Sequence, residues 1–244
     1  MKKITTGYTN DVFQDEEKIL VIKNNNGFNH KINYLLLKEF DFVPELISNN
    51  KEKQEWKFVE GKMLDKPTNT DLVNLASILR KVHLSDVKFP KNNLRERIKT
   101  YLIIIHDKLL NIPEIEDNWK LMNNLLAKMG HKNPIHNDVW WQNIIKGGDS
   151  KLWLVDWEYA TMGDKHFDLA FYIESALLSA EQEKVFLEAY NSHDSYQAYI
   201  PQWMDRYKMF VNWFTLIWAY AQEELPFPVE NLKNRITQLK IKIY

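Results

Sequence analysis

The sequence predicts an α+β chain in two lobes, a small β-rich N-terminal lobe and a larger, mainly helical C-terminal one. Three observations carry this. Apolar residues alternate or run β-branched over the first sixty positions, and they recur at helical spacing over most of the remainder. Between the helical stretches stand two segments, 134–146 and 152–160, in which short apolar runs end in carboxylates.

In chain order, residues 8–13 and 18–23 read as strands, with Asp15-Glu16-Glu17 as the turn between them. Asn24-Asn25-Asn26-Gly27 is a loop, and Ile32, Leu35, Leu36 and Phe40 predict a helix over 30–40. Residues 44–47 and 55–59 give two further strands around a polar turn at 49–53. Glu60-Gly61-Lys62 breaks the pattern, so the lobe boundary is placed there: a nucleotide-binding lobe at 1–60 and a catalytic and substrate-binding lobe at 61–244. Asn69 or Thr70 caps a helix carrying Leu72, Leu75, Leu79 and Val82. Helical periods follow at 95–110 and 119–129, a strand at 152–156, and helices at 168–178, 181–190, 201–223 and 229–243.

Composition narrows the function classes. A formal net charge of -1 without a Lys/Arg cluster argues against a nucleic-acid partner. The absence of cysteine rules out thiolate catalysis and Cys-ligated zinc, and it fits a cytoplasmic protein. The most apolar stretch, 210–221, is too short to span a bilayer and contains Asn212, so membrane insertion is not expected. Nine Trp are a surplus, and aromatic faces are the means by which proteins bind organic cations.

Phosphoryl transfer to an alcohol needs a cation for the nucleotide phosphates, oxygens for Mg²⁺, and a base beside the acceptor hydroxyl. Lys23, ending a Val-Ile-Lys strand, suits the first role. Asp138, in His136-Asn137-Asp138, suits the base, with His136 bracing the loop. Asn143 and Asp156 suit the metal, with Glu158 beside them. Each Asp could instead cap a helix or order a turn, but the joint spacing of Asp138, Asn143, Asp156 and Glu158 favours chemistry.

This arrangement resembles the protein-kinase-like fold, and within it the choline/ethanolamine kinase family, including its bacterial members. The resemblance rests on His136-Asn137-Asp138 with Asn143, and on Asp156-Trp157-Glu158-Tyr159-Ala160 continued by Phe167-Asp168-Leu169-Ala170. Gly7-Tyr8-Thr9-Asn10 resembles the family's N-terminal turn, and residues 56–61 its interlobe hinge. It implies ATP and Mg²⁺ as cofactors, nucleotide contacts from Thr9, Asn10, Lys23 and Glu60, a structural role for Asp168, and choline as acceptor. Choline would be held by Trp218, with Trp213, Tyr172 and Trp157 as further candidates and Glu174 or Glu223 supplying charge. One departure stands out: Asn33 falls where the family carries a helix Glu that pairs with the strand Lys, and Glu39 sits too late on the helix. Ethanolamine, thiamine or an aminoglycoside are alternative acceptors. A non-catalytic nucleotide-binding protein, or a two-metal hydrolase built on His136, Asp138, Asp156, Glu158, His166 and Asp168, are readings from other classes.

Overall fold

The computed structural model describes residues 1–5, 7–191 and 199–243. Alternating apolar residues draw the N-terminal part into an antiparallel sheet of β1 (Lys2–Ile4), β2 (Asp11–Asp15), β3 (Lys18–Ile22), β4 (Leu46–Asn49) and β5 (Lys53–Lys57), in the spatial order β1-β2-β3-β5-β4. The β2–β3 hairpin closes with Asp15 opposite Lys18, and Glu16 takes a left-handed φ of 53° in the turn. Val12 lies opposite Val21, and the period of two puts Val12, Gln14, Ile19 and Val21 on the face that looks down on the second lobe.

The predicted helix over 30–40 does not form. A six-residue 3-10 helix, Tyr34–Glu39, takes its place. Asn26 Oδ1 accepts from the backbone N–H groups of Phe28 and Asn29, so an Asx turn uses donors that a helix would need. Tyr34, Leu37 and Phe40 are the buried residues, at intervals of three rather than the mixed three and four of an α-helix. Asn33 is the N-cap of this short element, its Oδ1 accepting from Leu35 N, and so faces no strand lysine.

Beyond the hinge, β6 (Gly61–Met63) leaves the first sheet and pairs with β8 (Ile144–Gly147), which pairs in turn with β9 (Leu152–Leu154). A Cβ on Gly61 would lie 2.5 Å from the Lys146 carbonyl oxygen, so only glycine allows the two backbones to approach this closely. A second ribbon joins β7 (Asn133–Ile135) to β10 (Thr161–Gly163). These short ribbons hold the two motif segments against one another.

The helices are α1 (Asn69–Leu84), α2 (Leu94–Ile104), α3 (Pro113–Glu116), α4 (Trp119–Lys128), α5 (Lys165–Ser175), α6 (Ala180–Asn191), α7 (Pro201–Tyr220) and α8 (Glu230–Ile243). Thr68 and Asp71 form a reciprocal capping box on α1. Pro201 starts α7, where its missing N–H costs nothing. Residues Tyr207 to Ile217 of α7 are buried without a break, because α2, α5 and α8 all pack on it. Among the described residues no helix is long and apolar enough to cross a membrane.

Candidate active site

A cleft of about 470 Å³ lies between the β-sheet and the helical lobe, and the two motif segments form its floor. β7 delivers His136, Asn137 and Asp138. The carboxylate of Asp168, in the first turn of α5, accepts from the backbone N–H of His136 and of Asn137, both at 2.8 Å, and lies 3.0 Å from His83 Nε2. These bonds hold Asn137 at a left-handed φ of 68°, which turns Asp138 into the cleft. The His136 ring is buried, with Nε2 donating to the Val155 carbonyl at 2.9 Å, so it links the two segments and takes no position in the cleft. Burial also pulls His136 down to about 4, so its imidazole is neutral at pH 7.

Asn143 Nδ2 donates to the Asp138 carbonyl at 3.0 Å and to its carboxylate at 3.2 Å. Burial lifts the Asp138 carboxyl to about 7, against the Arg97 guanidinium and with help from the charge of Glu158. A group titrating near neutrality is suited to exchanging a proton with an alcohol. Asp156 also has a left-handed φ, 62°, and its carboxylate is open to the cleft. Enclosure between the lobes, then the charges of Glu158 and Asp138, push it well above the ordinary carboxylate range. Among the described residues the side-chain amide oxygen of Asn143 and the Asp156 carboxylate have no hydrogen-bond partner in the protein, while the Asn143 backbone carbonyl accepts from Val155 N. Two oxygens on the floor of an acidic cleft fit a hard cation that keeps other positions for phosphate and water.

Glu158 is committed differently. Its Oε2 receives Asn10 Nδ2 at 2.8 Å, Asn29 Nδ2 at 2.9 Å and His30 Nε2 at 2.8 Å, tying the floor to the N-terminal lobe. Asn10 is held further by Asn24 N, and Thr9 accepts from Asn24 Nδ2 through its carbonyl. Both Thr9 and Asn10 line the cleft, while Glu60 is exposed and lies outside its wall between Val59 and Gly61.

Several predicted residues lie elsewhere. Lys23 has the strand parity of the cleft-facing Ile19 and Val21, but its Nζ donates to Asn49 Oδ1 and to the Asn50 carbonyl, each at 2.6 Å. With no helix carboxylate to draw it inward, it turns to the β4–β5 turn. Tyr172 is fully buried against Phe186, and Trp213 donates to the Ile115 carbonyl among the helices. Trp157 does border the cleft, but its ring stacks on Phe40 and its Nε1 donates to the Leu154 carbonyl, so most of the side chain is committed to the core beneath the floor. Glu174 forms a two-pronged ion pair with Arg235, both contacts at 2.8 Å, accepts from Asn212 and does not line the cleft. Trp218 does line the cleft, edge-on to Tyr8 at 5.6 Å, with Phe227 behind both.

The six residues of the two-metal alternative do not converge. Asp168 is consumed by the loop N–H groups, and His166 pairs with Asp164 while accepting from Ile200 N. Among the described residues no three His, Cys, Asp or Glu side chains form a metal cage. The structure also adds residues that were not singled out: Tyr8, Trp140, Thr215 and Arg97 line the cleft.

Comparison with known proteins gives a consistent result. The family described as choline/ethanolamine kinase matches residues 1–241. The chain is 40% identical over 244 residues to a LicA homolog of Mycoplasma capricolum, covering 99% of this chain and 98% of that one. It superposes on the choline kinase LicA of Streptococcus pneumoniae with a TM-score of 0.73 at 20% identity, over 100% of this chain and 94% of that one. An ADP-bound aminoglycoside phosphotransferase superposes with a TM-score of 0.58 at 13% identity, over 98% and 90% of the two chains. The fold is protein-kinase-like, as the sequence motifs implied.

Proposed function

The chain belongs to the choline/ethanolamine kinase family and is a small-molecule kinase, and from that premise we propose that it transfers the γ-phosphoryl group of ATP to the hydroxyl of choline. The observation that supports this most is the juxtaposition, in one cleft, of Asp138 near neutrality, the unpartnered oxygens of Asn143 and Asp156, and the aromatic pair Trp218–Tyr8. The adenine would lie between the apolar sheet face of Ile19 and Val21 and the side chains of Met63 and Ile145. Asn143 and Asp156 would hold Mg²⁺, which supplies neutralisation of the phosphate charge. Asp138 accepts the hydroxyl proton as the alcohol oxygen forms its bond to phosphorus and the bond from phosphorus to the ADP oxygen breaks. A quaternary ammonium offers no hydrogen-bond donor, so the faces of Trp218 and Tyr8 are its fitting receptor.

Choline is favoured over an aminoglycoside because Glu174 is locked to Arg235 and Glu223 lies outside the cleft wall, so the acceptor side offers rings and few carboxylates for a polycation. The test is an ATP-coupled assay on choline, ethanolamine, thiamine and an aminoglycoside. Choline should show the highest kcat/KM, and Asp138→Asn should lose at least about 1,000-fold in kcat while ATP binding persists. Preference for another member of the panel would replace choline as the acceptor, and full activity in Asp138→Asn would remove it as the base.

A further inference from the structure

The cleft holds one buried cation that its described neighbours leave unanswered. Arg97, on the inward face of α2, is only 4% exposed and lines the cleft. Its Nε and Nη1 have no hydrogen-bond partner among the described residues. Its guanidinium carbon lies against two rings instead, 4.0 Å from the centre of Tyr159 and 5.1 Å from that of Phe214. Rings fix the orientation of a guanidinium without neutralising it or using its N–H groups. A buried charge with free donors is costly to maintain unless a ligand completes it. Arg97 and Asp138 line the same cleft, so a guanidinium with free donors shares it with the carboxylate that would take the acceptor's proton. Meanwhile Lys23, the expected phosphate cation, is turned away to Asn49 and Asn50.

We propose that Arg97 receives the phosphoryl group in flight, its fork donating to the equatorial oxygens as phosphorus passes from ADP to the acceptor, and then holds the product phosphate. Arg97 takes no proton and forms no covalent bond; it supplies positive charge where the three oxygens are most exposed. The role rests on phosphoryl transfer in this cleft and does not depend on choline being the acceptor. Tyr159 and Phe214 are then positioning residues for the guanidinium rather than part of the cation receptor, which is left to Trp218 and Tyr8.

The test reads the phosphoryl group without an acceptor. ADP and Mg²⁺ are titrated by calorimetry with and without aluminium fluoride, which mimics the planar phosphoryl, on wild type, Arg97→Lys and Arg97→Met. Wild type should bind ADP tighter by at least about 100-fold when aluminium fluoride is present, and both variants should lose most of that gain while binding ADP alone as before. Arg97→Lys retains the charge, so it covers the case in which Arg97→Met does not fold. Guanidinium ion added to Arg97→Ala should restore part of the gain, which a purely structural role would not produce. An undiminished aluminium fluoride effect in Arg97→Lys and Arg97→Met would overturn the proposal. If choline fails in the substrate panel but the aluminium fluoride effect still depends on Arg97, the acceptor assignment falls and this one stands.

Discussion

Among single residues, the contrast between Trp218 and Trp213 is the most instructive. Both sit on α7, five positions apart, and that spacing turns them about 140° from one another around a helix of 3.6 residues per turn. Trp218 meets Tyr8 at the cleft, whereas Trp213 is 1% exposed and donates to the Ile115 carbonyl. Trp218→Ala should therefore raise the KM for choline about tenfold or more, with a smaller change in kcat and little loss of stability. Trp213→Ala should leave KM unchanged and lower stability by about 3–5 kcal/mol. Steady-state kinetics paired with urea unfolding separates the two outcomes. That Asp138, Asn143 and Asp156 would meet in one cleft was legible in the sequence because they stand at short spacing beside apolar strand runs. Arg97 was legible in principle: Leu94, Arg97, Ile98 and Tyr101 follow the i, i+3, i+4, i+7 pattern of a buried face, and all four are buried. A charge at a core position of a helix is the signal, and it was hidden by Arg95 and Glu96 beside it. Tyr172 and Glu174 misled because a helix adjoining the motif carries as many core residues as site residues.

At the scale of the element, the absent small-lobe helix changes what Asn33 and Lys23 do. Asn33 caps a short 3-10 turn, so Asn33→Glu should not raise turnover, and Asn33→Ala should cost about 1 kcal/mol with unchanged KM for ATP. A rise in kcat on introducing Glu would show instead that the lysine pair forms during turnover. The N-terminus of α5 matters more, because Asp168 holds the loop that presents Asp138. Asp168→Asn keeps the shape but removes the charge and turns one of the two accepting oxygens into an NH₂ that opposes a loop N–H; it should lower kcat by about 10- to 100-fold and stability by about 2–4 kcal/mol. Long helices such as α1 and α7 were read within a few residues because their period is repeated several times. The ribbons β6–β8 and β7–β10 were not read, since each strand has three or four residues and its partner lies far away in the chain.

For the molecule as a whole, the acid side of the stability curve is a sum of opposed contributions: the raised carboxyls of Asp138 and Asp156 gain stability as pH falls towards 4, whereas His136 and Asp164 lose it. His136 titrates in the native state at about 4, below the 6.5 of an ordinary imidazole, because burial disfavours its charged form. The unfolded chain therefore takes up this proton first, and the contribution of His136 to stability is lost as pH drops from about 6.5 towards 4, by on the order of 3 kcal/mol. Asp164 behaves as the opposite case. Burial alone would raise it, but His166, the Tyr207 hydroxyl at 2.7 Å and the Gly130 N–H at 2.7 Å hold it at about 2. Its contribution is present in full above the ordinary value of 3.8 and is lost as pH falls through about 2, amounting to about 2 kcal/mol. The two groups thus act in successive windows, and both join the motif floor to the helices: His136 through Val155, Asp164 by bridging Gly130, α5 and α7. In a background with Asp138→Asn and Asp156→Asn, which removes the opposing carboxyls, urea midpoints measured from pH 8 to pH 2 should decline in two stages. Adding Asp164→Asn to that background should lower stability at pH 7 and remove the lower stage while keeping the upper one. A midpoint independent of pH between 6.5 and 4 in that background would mean that the His136 ring gains access to water, and hence that the floor of the cleft is looser than its hydrogen bonds indicate.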